Sequence, residues 1–374
     1  MIPITRPSVG QEEADAAADA VLSGWLSQGP RVQEFERRVA DYVGAGHAVA
    51  TSNCTTALHL ALLAAGVGPG DEVICPSFSF IATANAVVHA GATPVFVDID
   101  PATYNIDTTL IEAAITPRTR AIIPVDQIGL AADIPAVIEI ARAHNLRVVE
   151  DAAPALGATI GEARAGGLSD FTCFSFHPRK SITTGEGGVI TTNDEPAAAR
   201  LRSIRSHGAS TSDLARHQSG TVEIESYDEL GFNYRMTDVQ AAVGCVQMRR
   251  LDGILADRRR LALRYDGLFA SEERLTTPSV PPGHLHTYQS YCVRLEATLD
   301  RSRIMRELAA LGIATRRGVM AIHLEPFYRS RLPGLSLPQT ERAAAETLLL
   351  PLFAGMTEDE QDQVATALLR AVGA

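Results

Sequence analysis

The chain has 374 residues, of which 46% are hydrophobic and 21% are charged. This length predicts two compact domains, or one large domain with a smaller one attached, and the composition excludes a disordered chain. The formal net charge of −11 disfavours nucleic acid as a partner, because a negative protein repels phosphate backbones. A small phosphorylated ligand stays compatible with that charge, since it needs only a local pocket.

The first 45 residues predict an extended start and two helical segments around a turn at 27–30. An alternation of strands and helices follows. The predicted strands are 47–51, 72–75, 93–97, 120–125, 146–150, 171–175 and 188–191, and the predicted helices are 55–65, 81–90 and 133–144. The strands are short and nearly all apolar, as a sheet covered on both faces requires. This order predicts a doubly wound α/β domain.

A capping-box sequence at 237–240 predicts the start of a long helix that ends near Phe269. A proline-rich linker at 277–283 precedes a smaller α/β unit, in which we expect one strand at 288–295. A second capping box at 357–360 opens the last helix. We therefore predict a large domain over 1–250, which includes an N-terminal arm, and a small C-terminal α/β domain over 251–374.

The five cysteines show no metal-binding spacing, and most of them lie in apolar runs. We expect buried thiols in a reducing compartment and no metal site. The first residues lack the charged and apolar regions of a signal peptide, and no apolar run approaches the ~18 residues that span a bilayer. These features predict a cytoplasmic protein without a membrane partner.

Lysine is almost absent from the chain. Of the 33 basic residues, Lys180 is the one lysine and all the others are arginine. Coding bias explains most of this ratio, and chance could explain where the one lysine falls. A position that keeps lysine can also be one that needs an amine able to lose its proton, which a guanidinium does not do at working pH.

Polar residues follow three of the predicted strands, at the point where each strand ends. Residues 52–56 follow the first strand, Asp151 follows the strand at 146–150, and Lys180 lies just after the strand at 171–175. In an open α/β sheet, ligands bind beyond the carboxyl ends of the strands. We therefore expect the three groups at one edge of the sheet.

Each group has a simpler interpretation. The polar run at 51–56 could only cap its helix, and on that segment alone capping is favoured over a phosphate site at the helix N-terminus. Asp151 could be a helix cap or a site carboxylate, with neither favoured. Lys180 could be a solvated loop residue, although the glycine run at 185–188 indicates a tight backbone beside it that could approach a ligand.

Together, a phosphate anchor, a carboxylate and an unprotonated lysine are what pyridoxal phosphate (PLP) needs. The lysine forms a Schiff base, and the carboxylate pairs with the pyridinium nitrogen and keeps it protonated. Because an ordinary lysine has a pKa of ~10.4, such a site must lower the pKa for nucleophilic attack.

Five segments resemble motifs of the fold-type I, PLP-dependent sugar aminotransferases of the DegT/DnrJ/EryC1/StrS family. They occur in the family's order and span nearly the whole chain. They are the phosphate turn at 53–60, the ring-stacking segment at 80–86, the aspartate motif at 149–153, the lysine signature at 174–188 and a motif at 231–238 that is presented to the neighbouring subunit's site.

The resemblance implies roles for the residues of these motifs. Lys180 is expected to be the Schiff-base lysine and then the proton shuttle at the substrate carbon. Asp151 is expected to hold the pyridinium nitrogen. Ser175 and the turn at Cys54 and Thr55 are expected to bind the phosphate.

Five further side chains carry expectations from the same resemblance. Asn233 would reach the cofactor from the partner chain of a homodimer with shared active sites. Phe80 would stack on the pyridine ring, the alternative being a core aromatic. Arg235 would meet anionic substrate groups, the alternative being a surface charge. His323 resembles a substrate-side histidine with a packing role equally open, and His177 is equally undecided between the two.

The lysine also separates two reactions within the family. The family's sugar dehydratases carry histidine in its place, so transamination is the expected reaction, with pyridoxamine phosphate as the intermediate form of the cofactor. The segment 24–30 is most similar to the subgroup that aminates C4 of nucleotide-linked 4-keto-6-deoxy sugars, and the resemblance implies glutamate as the amino donor.

Two positions depart from the family pattern. Pro154 stands where Gln or His is common, and Asp126 or Gln127 stands where His is usual. Both positions lie near the cofactor in the family. The substrate could therefore be a keto-cyclitol or a sugar ketone at another carbon. The alternative from another class is a non-catalytic PLP-binding regulator or scaffold.

Overall fold

The computed structural model describes residues 1–211 and 224–373. The α-helices of these residues are α1 Gln11–Leu22, α2 Pro30–Val43, α3 Cys54–Ala64, α4 Ala82–His89, α5 Ile134–Ala143, α6 Glu195–Ile204, α7 Asp238–Phe269, α8 Arg301–Ala310, α9 Pro326–Arg329, α10 Pro338–Glu346 and α11 Glu358–Val372. The strands are β1 His47–Thr51, β2 Glu72–Pro76, β3 Thr93–Val97, β4 Thr119–Ile122, β5 Arg147–Asp151, β6 Thr159–Ile160, β7 Ala163–Arg164, β8 Phe171–Ser175, β9 Gly188–Thr192, β10 Leu275–Thr276, β11 His284–Leu285, β12 Tyr291–Leu295, β13 Arg316–Arg317 and β14 Thr347–Leu350.

The central sheet has seven strands in the order β1-β9-β8-β5-β4-β2-β3. Strand β9 runs antiparallel to β1 and β8, and the other pairs along the sheet are parallel. Helices α3, α4 and α6 pack on one face, while α2, α5 and α7 pack on the other. This is the expected fold-type I architecture, a doubly wound and mostly parallel sheet.

The sheet strands follow the predicted bounds closely, with one exception. The strand predicted at 120–125 pairs only over Thr119–Ile122. Pro124 has no backbone N–H, so the ladder cannot continue through it. Beyond it, Val125 forms a single parallel bridge with Asp151 at the end of β5.

The C-terminal unit contains a four-stranded antiparallel sheet, β10-β12-β14-β13, so the expectation of one strand there was wrong. Three of the four strands were missed. Two of them have only two residues each, and Thr347–Leu350 directly follows helix α10 without a turn signal between them. The predicted strand begins at Tyr291 instead of 288, because Tyr288 has a φ of 48°, which is incompatible with a strand.

A second apolar core lies in this C-terminal unit and includes Leu261, Val293 and Leu368. Ile2 packs into the same core and bridges to Ile313, so the start of the chain contacts the small unit as well. Helix α7 runs without interruption through residue 250. The division at that residue stays a prediction.

All five cysteines are buried free thiols. Within residues 1–211 and 224–373, no helix combines the length and apolarity that crossing a membrane would need.

Candidate active site

The candidate site lies where three neighbouring strands reach the same edge of the sheet. Gly188, the first residue of β9, pairs with Thr51 at the end of β1 and with Ser175 at the end of β8. On the next strand, Asp151 pairs with Cys173 of β8. The sheet thus places the three predicted groups side by side, as their positions after the strands predicted.

The turn that leads from β1 into α3 is held by its own polar side chains. The Asn53 side chain accepts from the Thr56 amide at 3.0 Å and caps the helix, and the hydroxyls of Thr51 and Thr56 donate to the Asn53 carbonyl. The capping interpretation of this run is therefore correct.

Capping leaves the first two amides of the helix available. The N–H groups of Cys54 and Thr55 have no intrahelical acceptor, and no described residue outside the helix accepts from them. Free amides at a helix N-terminus bind anions, because they donate hydrogen bonds at the positive end of the helix dipole. The same turn therefore caps its helix and leaves two amides that can donate to an anion.

The glycine run next to the lysine has a structural explanation at Gly188. A Cβ there would lie 2.4 Å from the Asn53 carbonyl oxygen and 2.7 Å from the Cys54 nitrogen. The tight approach that the run predicted is therefore an approach to the backbone of the anion-binding turn. Only glycine allows β9 to pack this closely against it.

Asp151 lies at the end of β5 and is 5% exposed. Its Oδ2 accepts from the Thr83 hydroxyl at 2.7 Å, and its Oδ1 accepts from the Ala153 amide at 3.2 Å. Ser79 in turn donates to Thr83 at 2.7 Å. These donors fix the direction of the carboxylate and stabilise its charged form.

Thr83 is a site residue that the sequence interpretation missed. It lies on α4 inside the segment that was quoted for Phe80, and it is fully buried. Its signal in the sequence was a hydroxyl on the helix face that it shares with the buried apolar residues Ala86 and Val87. Such a group needs a hydrogen-bond partner, and here the partner is the site carboxylate.

Lys180 follows β8 through a turn in which its amide donates to the His177 carbonyl at 2.8 Å. The residue as a whole is half-buried, but its amine lies deep in the protein. Burial lowers the pKa of Lys180, and the nearby Asp151 carboxylate partly offsets this effect. The site therefore shifts the amine toward the unprotonated form that attacks carbonyl carbon.

Burial has the opposite effect on the carboxyl group. It raises the pKa of Asp151, while the bonds from Thr83 and Ala153 and the charge of Lys180 lower it. Burial also raises the pKa of the Cys54 thiol well above its ordinary value, and Asp151 adds to the increase. The Cys54 thiol is therefore held in its neutral form.

Phe80 is 60% exposed and lies between β2 and α4, so the alternative of a core aromatic does not hold. An exposed ring directly before the helix that carries Thr83 is available to a planar ligand.

The two histidines occupy different environments. His177 is half-buried, and its Nδ1 accepts from the Arg179 amide at 3.2 Å. His323 is 2% exposed, with Nδ1 2.7 Å from the Ser77 hydroxyl and Nε2 3.3 Å from Glu341. Because both ring nitrogens of His323 have partners, its geometry supports a packing role.

Asn233 and Arg235 lie on the segment that leads into helix α7. Asn233 is exposed, and its Oδ1 accepts from Nε of Arg235 at 3.1 Å. The segment is tied to the anion-binding turn at one point, where the Ser52 amide donates to the Tyr234 carbonyl at 2.7 Å.

The two departures from the family pattern serve the fold. The Pro154 carbonyl accepts from the Thr287 hydroxyl at 3.0 Å, which ties the aspartate segment to the C-terminal unit. The Gln127 side chain donates to the Phe78 carbonyl, and Ile128 has a φ of 62°, a strained conformation for a β-branched residue. Asp126 is completely buried.

The described residues fit the cofactor that the sequence predicted. A dianionic phosphate needs donors, and the free amides of Cys54 and Thr55 supply them. An aldehyde needs an unprotonated amine, and Lys180 has a lowered pKa. A protonated ring nitrogen needs an anion, and Asp151 offers a carboxylate with two fixed donors behind it.

Comparison with known proteins agrees with this geometry. The model of the DegT/DnrJ/EryC1/StrS aminotransferase family matches residues 7–369. GDP-perosamine synthase from Caulobacter vibrioides is 44% identical over 371 residues, which cover 98% of this chain and 97% of the relative.

Solved structures show the same likeness. The aminotransferase TlmJ from Streptoalloteichus hindustanus is 35% identical with a TM-score of 0.92, over 100% of this chain and 99% of TlmJ. Spr1654 from Streptococcus pneumoniae, solved in its PLP form, is 30% identical with a TM-score of 0.91, over 99% of this chain and 97% of Spr1654. The chain belongs to the DegT/DnrJ/EryC1/StrS aminotransferase family and is a PLP-dependent sugar aminotransferase.

Proposed function

We propose that the protein transfers the amino group of glutamate to the keto group of a nucleotide-linked sugar, with the C4 ketone of a 4-keto-6-deoxy sugar as the substrate. The observation that carries the reaction type is the pairing of a buried amine of lowered pKa, Lys180, with the fixed carboxylate of Asp151. The relative named GDP-perosamine synthase supports a nucleotide-linked substrate, because its name describes a GDP-linked product.

When bound, PLP supplies an aldehyde that condenses with amines and a ring that withdraws electrons from the adjacent carbon. The protein supplies the rest. Cys54 and Thr55 orient the phosphate with their amides, Ser175 adds a hydroxyl, and Asp151 keeps the ring nitrogen protonated. Lys180 would hold the cofactor through its amine and would move a proton at the substrate carbon, a role that contributes about 10²–10⁴-fold in rate.

We assign the remaining residues by their exposure. The Phe80 ring covers one face of the cofactor ring, and Arg235 meets anionic groups of the substrate. His177 lies in the turn before Lys180, on the substrate side. His323 acts through packing, since Ser77 and Glu341 occupy its ring.

We further propose a homodimer in which Asn233 completes the site of the partner subunit. The exposed position of Asn233 supports this assignment, because an exposed side chain is available to a partner subunit. A mixture of Lys180→Ala and Asn233→Ala chains would regain activity if sites are shared, whereas a mixture as inactive as its components would contradict sharing.

The substrate class is tested by a screen of nucleotide-linked keto sugars and keto-cyclitols with glutamate as the donor. We expect turnover with a nucleotide-linked 4-keto-6-deoxy sugar and conversion of glutamate to 2-oxoglutarate. Turnover confined to a keto-cyclitol would establish the alternative substrate, which the unusual residues at 126, 127 and 154 keep open. A protein that binds PLP but converts no ketone would support the alternative of a non-catalytic PLP-binding regulator.

The Thr83 hydrogen bond gives a pH prediction. This bond lowers the pKa of Asp151, so Thr83→Val, which keeps the shape and removes the donor, raises that pKa. A hydrogen bond to a charged group contributes about 1.5–3 kcal/mol, which corresponds to about 1–2 pH units. We expect the acidic limb of the kcat/KM profile to move to higher pH by about that much.

Thr83→Ser is the matched control, because it keeps the hydroxyl and should keep the wild-type profile. An unchanged acidic limb in Thr83→Val would show that the bond does not control the ionisation of Asp151.

A further inference from the structure

Two buried carboxyl groups behind the candidate site each have one oxygen without a conventional donor. Asp126 is 0% exposed and Glu150 is 1% exposed. Oδ2 of Asp126 and Oε1 of Glu150 receive no N–H or hydroxyl donor from the described residues. Burying a carboxylate oxygen without a hydrogen bond costs free energy of folding, and these two atoms are therefore expected to have a partner.

The sheet places the two side chains on one face. Val125 bridges to Asp151, and the Asp126 amide donates to the Asp151 carbonyl at 3.1 Å. Since side chains alternate along a strand, Asp126 and Glu150 share the face opposite to that of Asp151. Each carboxyl has one oxygen without a partner, and each group affects the ionisation of the other.

The remaining oxygens of the pair are already satisfied. Oδ1 of Asp126 accepts from the Ala132 amide at 2.8 Å. Oε2 of Glu150 accepts from the hydroxyls of Ser169 and Thr172, each at 2.8 Å. Two ionised carboxylates offer acceptors only, so a hydrogen bond between them requires a proton on one of them.

We propose that Asp126 is a positioning residue that carries a proton at neutral pH and donates it to Glu150, which locks the segment after β4 against the strand that carries Asp151. The pair therefore has one negative charge instead of two. Glu150 is the charged member, because it has two hydroxyl donors in addition to Asp126.

The electrostatic surroundings agree with this assignment. Burial raises the pKa of Asp126 well above its ordinary value, and the neighbouring charges of Glu150 and Asp151 raise it further, while the Ala132 amide lowers it. Burial also raises the pKa of Glu150, and its hydrogen bonds from Thr172, Ser169 and Asp126 oppose that increase. Of two coupled carboxyls, the one with fewer donors keeps the proton.

The proton matters for the site because of charge. Asp151 is the next residue after Glu150, and a second negative charge nearby would raise the pKa of Asp151 and oppose its ionisation. By holding one proton, Asp126 halves the charge behind Asp151 and leaves that carboxylate to be ionised by Lys180 and Thr83.

Infrared spectroscopy of the holoenzyme tests the proton directly. In the spectrum of the wild type minus that of Asp126→Asn, at a pH of about 7.5, we expect the carbonyl band of a protonated carboxylic acid, which moves to lower frequency in D₂O. In Glu150→Gln, the glutamine N–H₂ can donate to Asp126, so Asp126 no longer needs a proton and the same band should be lost. If neither variant loses the band, the proposal is wrong.

A second readout is the pH dependence of stability. If the pKa of Asp126 is higher in the folded protein than in the unfolded chain, the wild type loses stability as the pH rises above the pKa of the unfolded chain. Asparagine does not titrate, so the Asp126→Asn variant has no such loss. The melting temperature of Asp126→Asn minus that of the wild type should therefore increase between a pH of about 5 and about 8. A difference that stays flat or falls over this range would overturn the assignment.

Asp98→Asn is the matched control. Asp98 is also buried, but its oxygens accept from the amides of Gln339 and Thr340 and from the Thr340 hydroxyl. An asparagine N–H₂ would face N–H donors there. This variant should keep the protonated-carboxyl band and lower the melting temperature across the same pH range.

Discussion

Lys180→Arg is expected to abolish turnover and to leave the fold intact. Arginine is the basic residue at every other basic position of the chain, and it is the natural side chain closest to lysine in length that cannot lose its proton. A guanidinium stays protonated at any working pH and cannot attack the cofactor aldehyde, whereas burial lowers the pKa of the Lys180 amine. We expect a loss of at least about 10³-fold in kcat, within the range that acid–base groups contribute.

The measurement combines kinetics with covalent trapping. Borohydride reduction of the wild type should attach the cofactor to the peptide that contains Lys180, and mass spectrometry of Lys180→Arg should find no attachment. Arg179→Lys is the matched control, because it puts an amine one residue away on an exposed position. The double variant Arg179→Lys with Lys180→Arg restores the lysine count but not its place. Activity in that double variant would show that the position of the amine is not decisive.

Much of the fold follows from local sequence patterns. Strands β1, β3 and β8 have the predicted bounds, because short apolar runs ended by polar turns leave little choice of register. The wrong predictions concern segments whose structure depends on distant parts of the chain. Thr347–Leu350 resembles a continuation of the preceding helix, and it becomes a strand because β12 and β13 pair with it. Such pairing partners are distant in sequence, so a local pattern cannot indicate them.

The residues of the candidate site also fall into those that local sequence predicts and those that it does not. Lys180, Asp151 and the turn at Cys54 could be predicted because each directly follows a strand, and strand ends are visible in sequence. Thr83 could not be placed from its segment alone, because its role depends on which buried carboxylate lies across from α4.

The substitution at Asp126 shows a further limit of sequence interpretation. A carboxyl group where the family usually has histidine suggests a changed substrate site. The structure instead shows that this side chain is completely buried and accepts from the Ala132 amide, on the opposite face from Asp151. The departure therefore bears on the electrostatics behind the site more directly than on the substrate.

Asp151→Asn is expected to reduce kcat by about 10²–10⁴-fold while Lys180 still binds the cofactor. Asparagine keeps one oxygen for the Ala153 amide, and its N–H₂ can donate to the Thr83 hydroxyl, which can turn to donate to Ser79 instead, so the position of the side chain is retained. It has no charge, and a ring nitrogen without an anionic partner does not stay protonated. Because Asp151 raises the pKa of Lys180, that pKa should fall further in the variant, which the pH dependence of borohydride trapping would report.

A cofactor analogue separates an electronic effect from a structural one. In 1-deaza-PLP a carbon replaces the ring nitrogen, so wild type with this analogue should lose about as much rate as Asp151→Asn loses with PLP. The variant with the analogue should lose little more, because both changes remove the same interaction. Asp133→Asn, which keeps a good cap on helix α5, is the control for the amide substitution itself. Fully additive losses would mean that Asp151 acts on the reaction by a route other than the ring nitrogen.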